Sequence, residues 1–369
     1  MAAGKLGTDA PMTHRFVDLA GTRAIPKIAI LSPASPTGET GGAERLYSGL
    51  VDAFENRGLR VEHVGMTMDE SDFPGILDGY IRFYDIDLSD YDGVVSTKSP
   101  SYMVRHRNHV CLLPHTIRSF YDMFTGSCAL SVELKQARII WNLDRAALSR
   151  PHLKKLFCVG AEVQERLKRF LNIESEVLHH PSTLKTIRDT GSEYLLIPGR
   201  LHPWKRVDLA IEAVKRMKND YPVVICGTGE EETRLRALAA DRPRISFSGY
   251  IDDEQLARYY ASATAVIFCP VREDFGLVAV EAFSSGKPIV TCTDSGEPAR
   301  LVNHGYNGMV SSPDPESLSV TLDRIVTDVK RASVLGSKAA ETVRHVTWDS
   351  VSAKLLHAPG FDQHLEKPC

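Results

Sequence analysis

Lys27-Ile28-Ala29-Ile30-Leu31 is a short continuous apolar run, the pattern of a strand buried on both faces. A loop rich in Ser, Pro and Gly follows and closes on Gly41-Gly42. From Ala43 onward, Leu46, Leu50, Val51 and Phe54 recur at helical spacing on one face, and Gly58 ends that helix. Residues 59–64 read as a second strand. Strand, loop, helix and strand in this order predict the opening of a doubly wound parallel α/β sheet.

Working outward, apolar runs at 93–96, 109–113, 156–159 and 176–178 suit further strands of that sheet. The second half repeats the grammar: strands at 194–197, 223–226, 245–247, 265–268 and 288–291 alternate with helices at 207–217, 231–239, 255–260 and 277–284. The polar stretch 181–192, with Gly191, marks a boundary. The expected organisation is a tail over 1–26, an α/β domain over 27–188 and a second over 189–345. A ligand is expected in the cleft between them.

Composition agrees with this. A chain of 369 residues has room for two domains, and its 43% hydrophobic and 25% charged residues are those of a soluble globular protein. A net charge of -3 creates no positive field to argue for nucleic acid. The seven cysteines, at 111, 128, 158, 226, 269, 292 and 369, form no CxxC pair and several sit in apolar runs. They read as reduced thiols of a cytoplasmic protein, not as a disulfide frame or a zinc site. The first 26 residues lack the apolar run of a signal peptide, and no stretch approaches the roughly 20 apolar residues of a membrane span. Any membrane contact would be peripheral.

Three segments carry candidate chemistry. Gly41-Gly42 closes a loop that enters a helix, so free N–H groups there suit a phosphate or a sugar hydroxyl; a turn that needs glycine for backbone reasons explains them equally well. No G-x-G-x-x-G fingerprint is present, which disfavours a hydride-transferring enzyme. Gly199-Arg200-Leu201-His202-Pro203-Trp204-Lys205 follows the first strand of the second half. Arg200 and Lys205 could neutralise a departing diphosphate, or be solvated cations on a surface loop. The third segment, Glu273-Asp274-Phe275-Gly276-Leu277 through Glu281, leads from a strand into a helix. The N–H groups of Gly276 and Leu277 would face an anion docked on that helix start. Glu273, in the loop, could grip adjacent sugar hydroxyls, and Glu281, within the helix, a ribose diol. Two glutamates eight apart could also be a helix-capping anion and a surface residue.

With these segments in view, the chain resembles the family 4 retaining glycosyltransferases of the GT-B fold, two Rossmann-like domains facing across a cleft. The matching pieces are Gly41-Gly42-Ala43-Glu44-Arg45, Pro114-His115-Thr116, Gly199-Arg200-Leu201 with Lys205, Gly227-Thr228-Gly229, Gly249-Tyr250-Ile251 and the E-x7-E segment Glu273 to Glu281. Residues 112–124 look most like mannosyltransferase-type members. The resemblance implies that Arg200 and Lys205 hold a donor diphosphate, Glu273 the hydroxyls of the donor sugar and Glu281 the ribose. It places Gly227, Asp274, Phe275, Gly276 and Leu277 at the nucleotide sugar, Ile251 at the base, His115 beside the transferring sugar and Gly41-Gly42 over the diphosphate. A last helix, 346–356, would cross back to the first domain, leaving 357–369 as a tail. Arg206 departs from the pattern, since many relatives have Gly there.

The implied activity is retaining hexosyl transfer from a UDP-, GDP- or dTDP-linked sugar to an acceptor hydroxyl on a glycan, glycolipid or small glycoside. The donor is a substrate and no cofactor is expected. No metal is expected either, because Asp85-Ile86-Asp87, an Asp-x-Asp that precedes a loop, is remote from these segments. A nucleotide-sugar epimerase of the same fold and a non-catalytic binding subunit remain open readings. The base, sugar, acceptor and oligomeric state are not legible.

Overall fold

A computed structural model describes residues 25–34, 42–124, 131–188, 191–358 and 361. The first sheet is parallel, with strands β1 (Lys27–Ala34), β2 (Arg60–Thr67), β3 (Gly93–Ser96), β4 (His109–Leu113), β5 (Leu153–Cys158) and β6 (Glu176–Val177) in the order β2-β1-β3-β4-β5-β6. The second, also parallel, contains β7 (Tyr194–Pro198), β8 (Val223–Cys226), β9 (Ile245–Gly249), β10 (Ala263–Ile267), β11 (Ile289–Cys292) and β12 (Gly308–Ser311), ordered β12-β11-β10-β7-β8-β9. Helices α1 (Gly42–Glu55), α2 (Phe73–Asp85), α3 (Val132–Leu148) and α4 (Ala161–Leu171) accompany the first sheet. The second carries α5 (Val207–Arg216), α6 (Glu232–Leu238), α7 (Asp253–Ser262), α8 (Leu277–Ser284), α9 (Glu297–Leu301), α10 (Pro315–Thr327) and α11 (Val329–Val343). The doubly wound architecture of the apolar pattern is therefore present twice.

Local signals explain most helix ends. Asp72 caps α2 by accepting from the Gly75 N–H at 2.8 Å. Asp252 and Gln255 form a reciprocal capping box on α7, as Thr347 and Ser350 do on α12 (Trp348–Leu356). Asn172 ends α4 in the left-handed region, at φ 55°.

Each sheet has a switch point where strand order reverses: between β1 and β3 in the first, between β7 and β10 in the second. Ligands of such sheets bind beyond the carboxyl ends of those strands. Here the loops leaving β3, β4, β7 and β10 line one common cleft.

The cores are not wholly separate. Helix α12 returns to the first domain, burying Val351, Leu355 and Leu356 in its core. A Cβ on Gly49 of α1 would lie 2.0 Å from the Trp348 ring, so glycine there lets the two helices close up. The five cysteines among the described residues are buried and unpaired, and no helix of these residues is long and apolar enough to cross a membrane.

Candidate active site

The cleft is a cavity of about 570 Å³. Gly42, Lys98, His115, Thr116 and Arg118 line it from the first domain, and Arg200, Lys205, Glu273 and Asp274 to Leu277 from the second. Gly41 lies outside the described residues. Gly42 begins α1 and approaches Leu277 across the cleft.

Lys205 ends a one-turn 3-10 helix, Pro203–Lys205, that follows β7 and is capped by His202, whose Nδ1 accepts from the Trp204 N–H at 3.1 Å. Its Nζ donates to Glu273 Oε2 at 2.7 Å. Glu273 is held by main-chain bonds to Ser295 and Glu297, and a Cβ on Gly296 would lie 2.5 Å from the Glu273 carbonyl oxygen. Gly296, at φ 74°, is thus the residue that lets the Glu273 loop seat, and nothing near it in sequence announces that. Arg206 explains its own departure from glycine. It adopts φ 49°, and its guanidinium recovers contacts with the carbonyls of Cys269 and Pro270 at 2.7 and 2.9 Å and with Asp294.

Arg200 is the most open cation of the cleft, with Glu230 3.9 Å away. Its loop is packed by glycine: at Gly227, φ 122°, a Cβ would lie 2.0 Å from the Gly199 carbonyl oxygen. Gly227 is absent from the cleft lining, so the structure gives it the duty of seating the Arg200 loop. Gly276 caps α8 at φ 77°, where a Cβ would lie 2.6 Å from Pro298 Cγ. The Leu277 and Val278 N–H groups, in the first turn of α8, have no intrahelical acceptor and lie at the cleft end of the helix, whereas the Ala279 N–H donates to the Gly276 carbonyl at 2.7 Å.

His115 sits at the carboxyl end of β4 and its Nδ1 donates to the Thr116 carbonyl at 3.0 Å, which leaves Nε2 as an acceptor. Burial, and then Lys98, hold its pKa below the usual imidazole value, so the ring is neutral near pH 7.

Several expected ligand contacts have other partners. The Asp274 carboxylate is taken by Arg166 of α4, which also pairs with Asp122 at 2.8 Å; Arg118 adds contacts to Asp122 at 3.0 Å and Asp274 at 3.9 Å. Phe275 enters the core of the first domain, with the rings of His179 and His180 at 5.6 and 4.6 Å. Glu281 is buried, does not line the cleft, and accepts from Ser182 Oγ at 2.8 Å and the Tyr260 hydroxyl at 2.9 Å. Burial pushes its pKa up, opposed by those hydroxyls and by Arg45. Ile251 is half-buried against the second core, beside the exposed Tyr250. Arg45, Arg166, Ser182, Tyr260 and Glu297 carry no local sequence signal for these contacts, since each meets its partner from another part of the chain; Asp122 has Arg118 four residues away as well as Arg166. Among the described residues no group of three or more His, Cys, Asp or Glu side chains is placed to hold a metal ion. Asp85 and Asp87 are not in the cleft wall.

This geometry can be set beside known proteins. Residues 185–342 match the family described as Glycosyl transferases group 1. A D-inositol 3-phosphate glycosyltransferase of Acidothermus cellulolyticus is 30% identical over 178 residues, 44% of this chain and 39% of that protein. An uncharacterized glycosyltransferase of Methanocaldococcus jannaschii is 26% identical over 170 residues, 44% of this chain and 43% of that one. The aligned part thus spans about two fifths of the length of these curated relatives. Among solved structures, sucrose-phosphate synthase from Thermosynechococcus elongatus superposes with a TM-score of 0.71 at 17% identity, covering 89% of this chain and 97% of the other. Anabaena HepE in complex with UDP-glucose gives 0.67 at 17%, covering 89% and 98%. Both domains have the GT-B arrangement, and the match to the glycosyl transferases of group 1 covers residues 185–342, in the carboxyl-terminal domain.

Proposed function

We propose that the protein is a retaining glycosyltransferase that moves a hexosyl group from a nucleoside diphosphate sugar to an acceptor hydroxyl. The observation that carries this reading is the Lys205–Glu273 pair, set in the cleft beside the start of α8. A cation and a carboxylate at that spot match the two charges of the donor: Lys205 exchanges Glu273 for a phosphate oxygen, and Glu273 turns to the sugar hydroxyls. Arg200 and the α8 N–H groups complete the support of the departing diphosphate, charge placed where charge develops. The UDP-glucose bound by HepE supports a nucleoside diphosphate donor.

Retention is part of this reading, and the carboxylates bear on its route. A double-displacement route needs a free carboxylate below the anomeric carbon. In this reading Glu273 is engaged by the sugar hydroxyls and Asp274 is paired with Arg166, which leaves neither for attack. The reading is front-face attack: the acceptor oxygen bonds to the anomeric carbon as the bond to the diphosphate oxygen breaks, and the diphosphate takes the acceptor proton. The neutral His115 beside the sugar adds an uncharged acceptor. Catalysis is then positioning plus electrostatics, without a metal.

Glu273→Gln and Lys205→Ala are each expected to lower turnover about a hundredfold or more, with unchanged urea midpoints. A thermal-shift screen with UDP, GDP and dTDP sugars identifies the donor, and NMR of the product reads the anomeric configuration. Near-normal turnover in either variant would sink the assignment. Conversion of donor without any acceptor would replace transfer by epimerisation.

A further inference from the structure

A second cavity of about 570 Å³ opens between the domains and shares no lining residue with the cleft. It is bounded by α4 of the first domain and by the Arg272 loop and α9 of the second. The wall between the two cavities is the ion network of Arg118, Asp122, Arg166 and Asp274.

The charges around this cavity do not cancel one for one. Each lining carboxylate already has a cation: Asp122 has Arg118 and Arg166, Glu162 and Glu165 have Arg300, and Asp294 has Arg206. Two lining guanidiniums, those of Arg169 and Arg272, have no ion pair or hydrogen bond among the described residues; Arg169 meets only the Phe170 ring, 5.2 Å away. Arg166, 3% exposed, lines the same space, and its Nη1 has no hydrogen-bond partner. A buried guanidinium nitrogen without an acceptor is costly, and an anion in the cavity would satisfy it. Arg272 holds a left-handed backbone, φ 45°, unfavourable for any side chain and directly before Glu273.

We propose that this cavity is a second ligand site, which takes the phosphoryl group of a small metabolite between Arg166, Arg169 and Arg272. A dianion matches the two unpaired cations, and planar guanidiniums suit its several oxygens. A carboxylate monoanion would leave one cation unpaired. Because α4 belongs to one domain and Arg272 to the other, a bound phosphoryl group bridges them and holds the Glu273 loop against the first domain.

The test is thermal unfolding of the full chain in rising inorganic phosphate at constant ionic strength, with chloride as balance. The wild-type melting temperature is expected to rise with phosphate, since binding to the folded state alone stabilises it. Lys205→Ala, which alters only the cleft, is expected to keep that rise. Arg169→Ala combined with Arg272→Asn, a residue that tolerates positive φ, is expected to need about tenfold or more phosphate for the same rise. If the double variant does not fold, Arg169→Ala alone serves, with a weaker loss of the same sign. Acetate at equal ionic strength is expected to give no rise. Four results would overturn the site: no wild-type response, an unchanged response in the Arg169 variants, a response abolished by Lys205→Ala alone, or an equal response to acetate.

Discussion

Around α4 the domains meet through buried groups. Arg166 lies between Asp122 and Asp274, Phe275 enters the first core beside His179 and His180, and Glu297 reaches from the second domain to accept from the Ala161 N–H at 2.7 Å and to pair with His179 at 2.7 Å. Glu297 thereby supplies the cap that Gly160, without a side chain, cannot. Gly160 itself is pressed close: a Cβ there would lie 2.4 Å from the Asp274 carbonyl oxygen. Between α1 and α7 the same two domains meet through one bidentate ion pair, Arg45 to Asp253, whose side chains are 24% and 62% exposed. The first contact is desolvated and geometrically determined; the second is wet and screened. The difference teaches which contact can break. Opening of the cleft would release Arg45–Asp253 and turn about α4, keeping Asp274, and so Glu273, in register with the first domain.

Arg166→Leu is expected to have the largest effect. It strands Asp122 and Asp274 in a buried site, with Arg118 as their only remaining cation, and is expected to destabilise the protein by about 3 kcal/mol in urea unfolding. A loss no larger than that of a surface pair would mean that the α4 contact is not the fixed one.

A pH titration comes next in size. His180 is buried against Phe275 and Trp348, and burial pushes its pKa down to about 4. Its folded value lies below its unfolded value, so the unfolded chain binds the proton first as pH falls. The stability that the neutral ring confers is complete above about pH 6.5 and is lost as pH falls toward 4, by about 3 kcal/mol. Asp144, buried and accepting from Tyr80, Tyr102 and Tyr121, is pushed up to about 6 and acts in the opposite sense over the same window. The informative quantity is therefore the difference between wild type and His180→Asn, which cannot titrate. Equal pH slopes for the two would remove His180 from the account.

The smallest effect is expected at the other contact. A double-mutant cycle of Arg45→Ala and Asp253→Ala is expected to give a coupling of about 0.2–1 kcal/mol that declines with added salt. A coupling above that of the α4 network, or one insensitive to salt, would reverse the assignment of pivot and latch.

The parts of the site that share a segment with their ligand surface are legible in the sequence. Gly276 at a helix start, Glu273 just before it, and Arg200 and Lys205 after a strand all announce themselves, because strand–loop–helix order fixes which end of a sheet they occupy. Residues whose partners lie in the other domain do not. Asp274 and Phe275 look like more of the same motif, yet their side chains serve the contact between domains. Glu281 looks exposed at helical spacing, yet it is enclosed by Ser182 and Tyr260. Helices α2, α3 and α4 each bury a polar or glycine position inside an apolar face: Gly79, Asp144 and Arg166.

The sequence by itself determined the two doubly wound sheets, because the period of apolar residues and the placement of glycine act over a few neighbours. Only the tertiary structure decided that Gly227 and Gly296 serve loop packing, that Arg206 replaces glycine at a positive φ, and that Arg166 joins the domains while Arg169 and Arg272 stay unpaired. Those assignments depend on which groups lose water and which charges find a partner, and both are set by contacts between residues on different elements, distant in the chain.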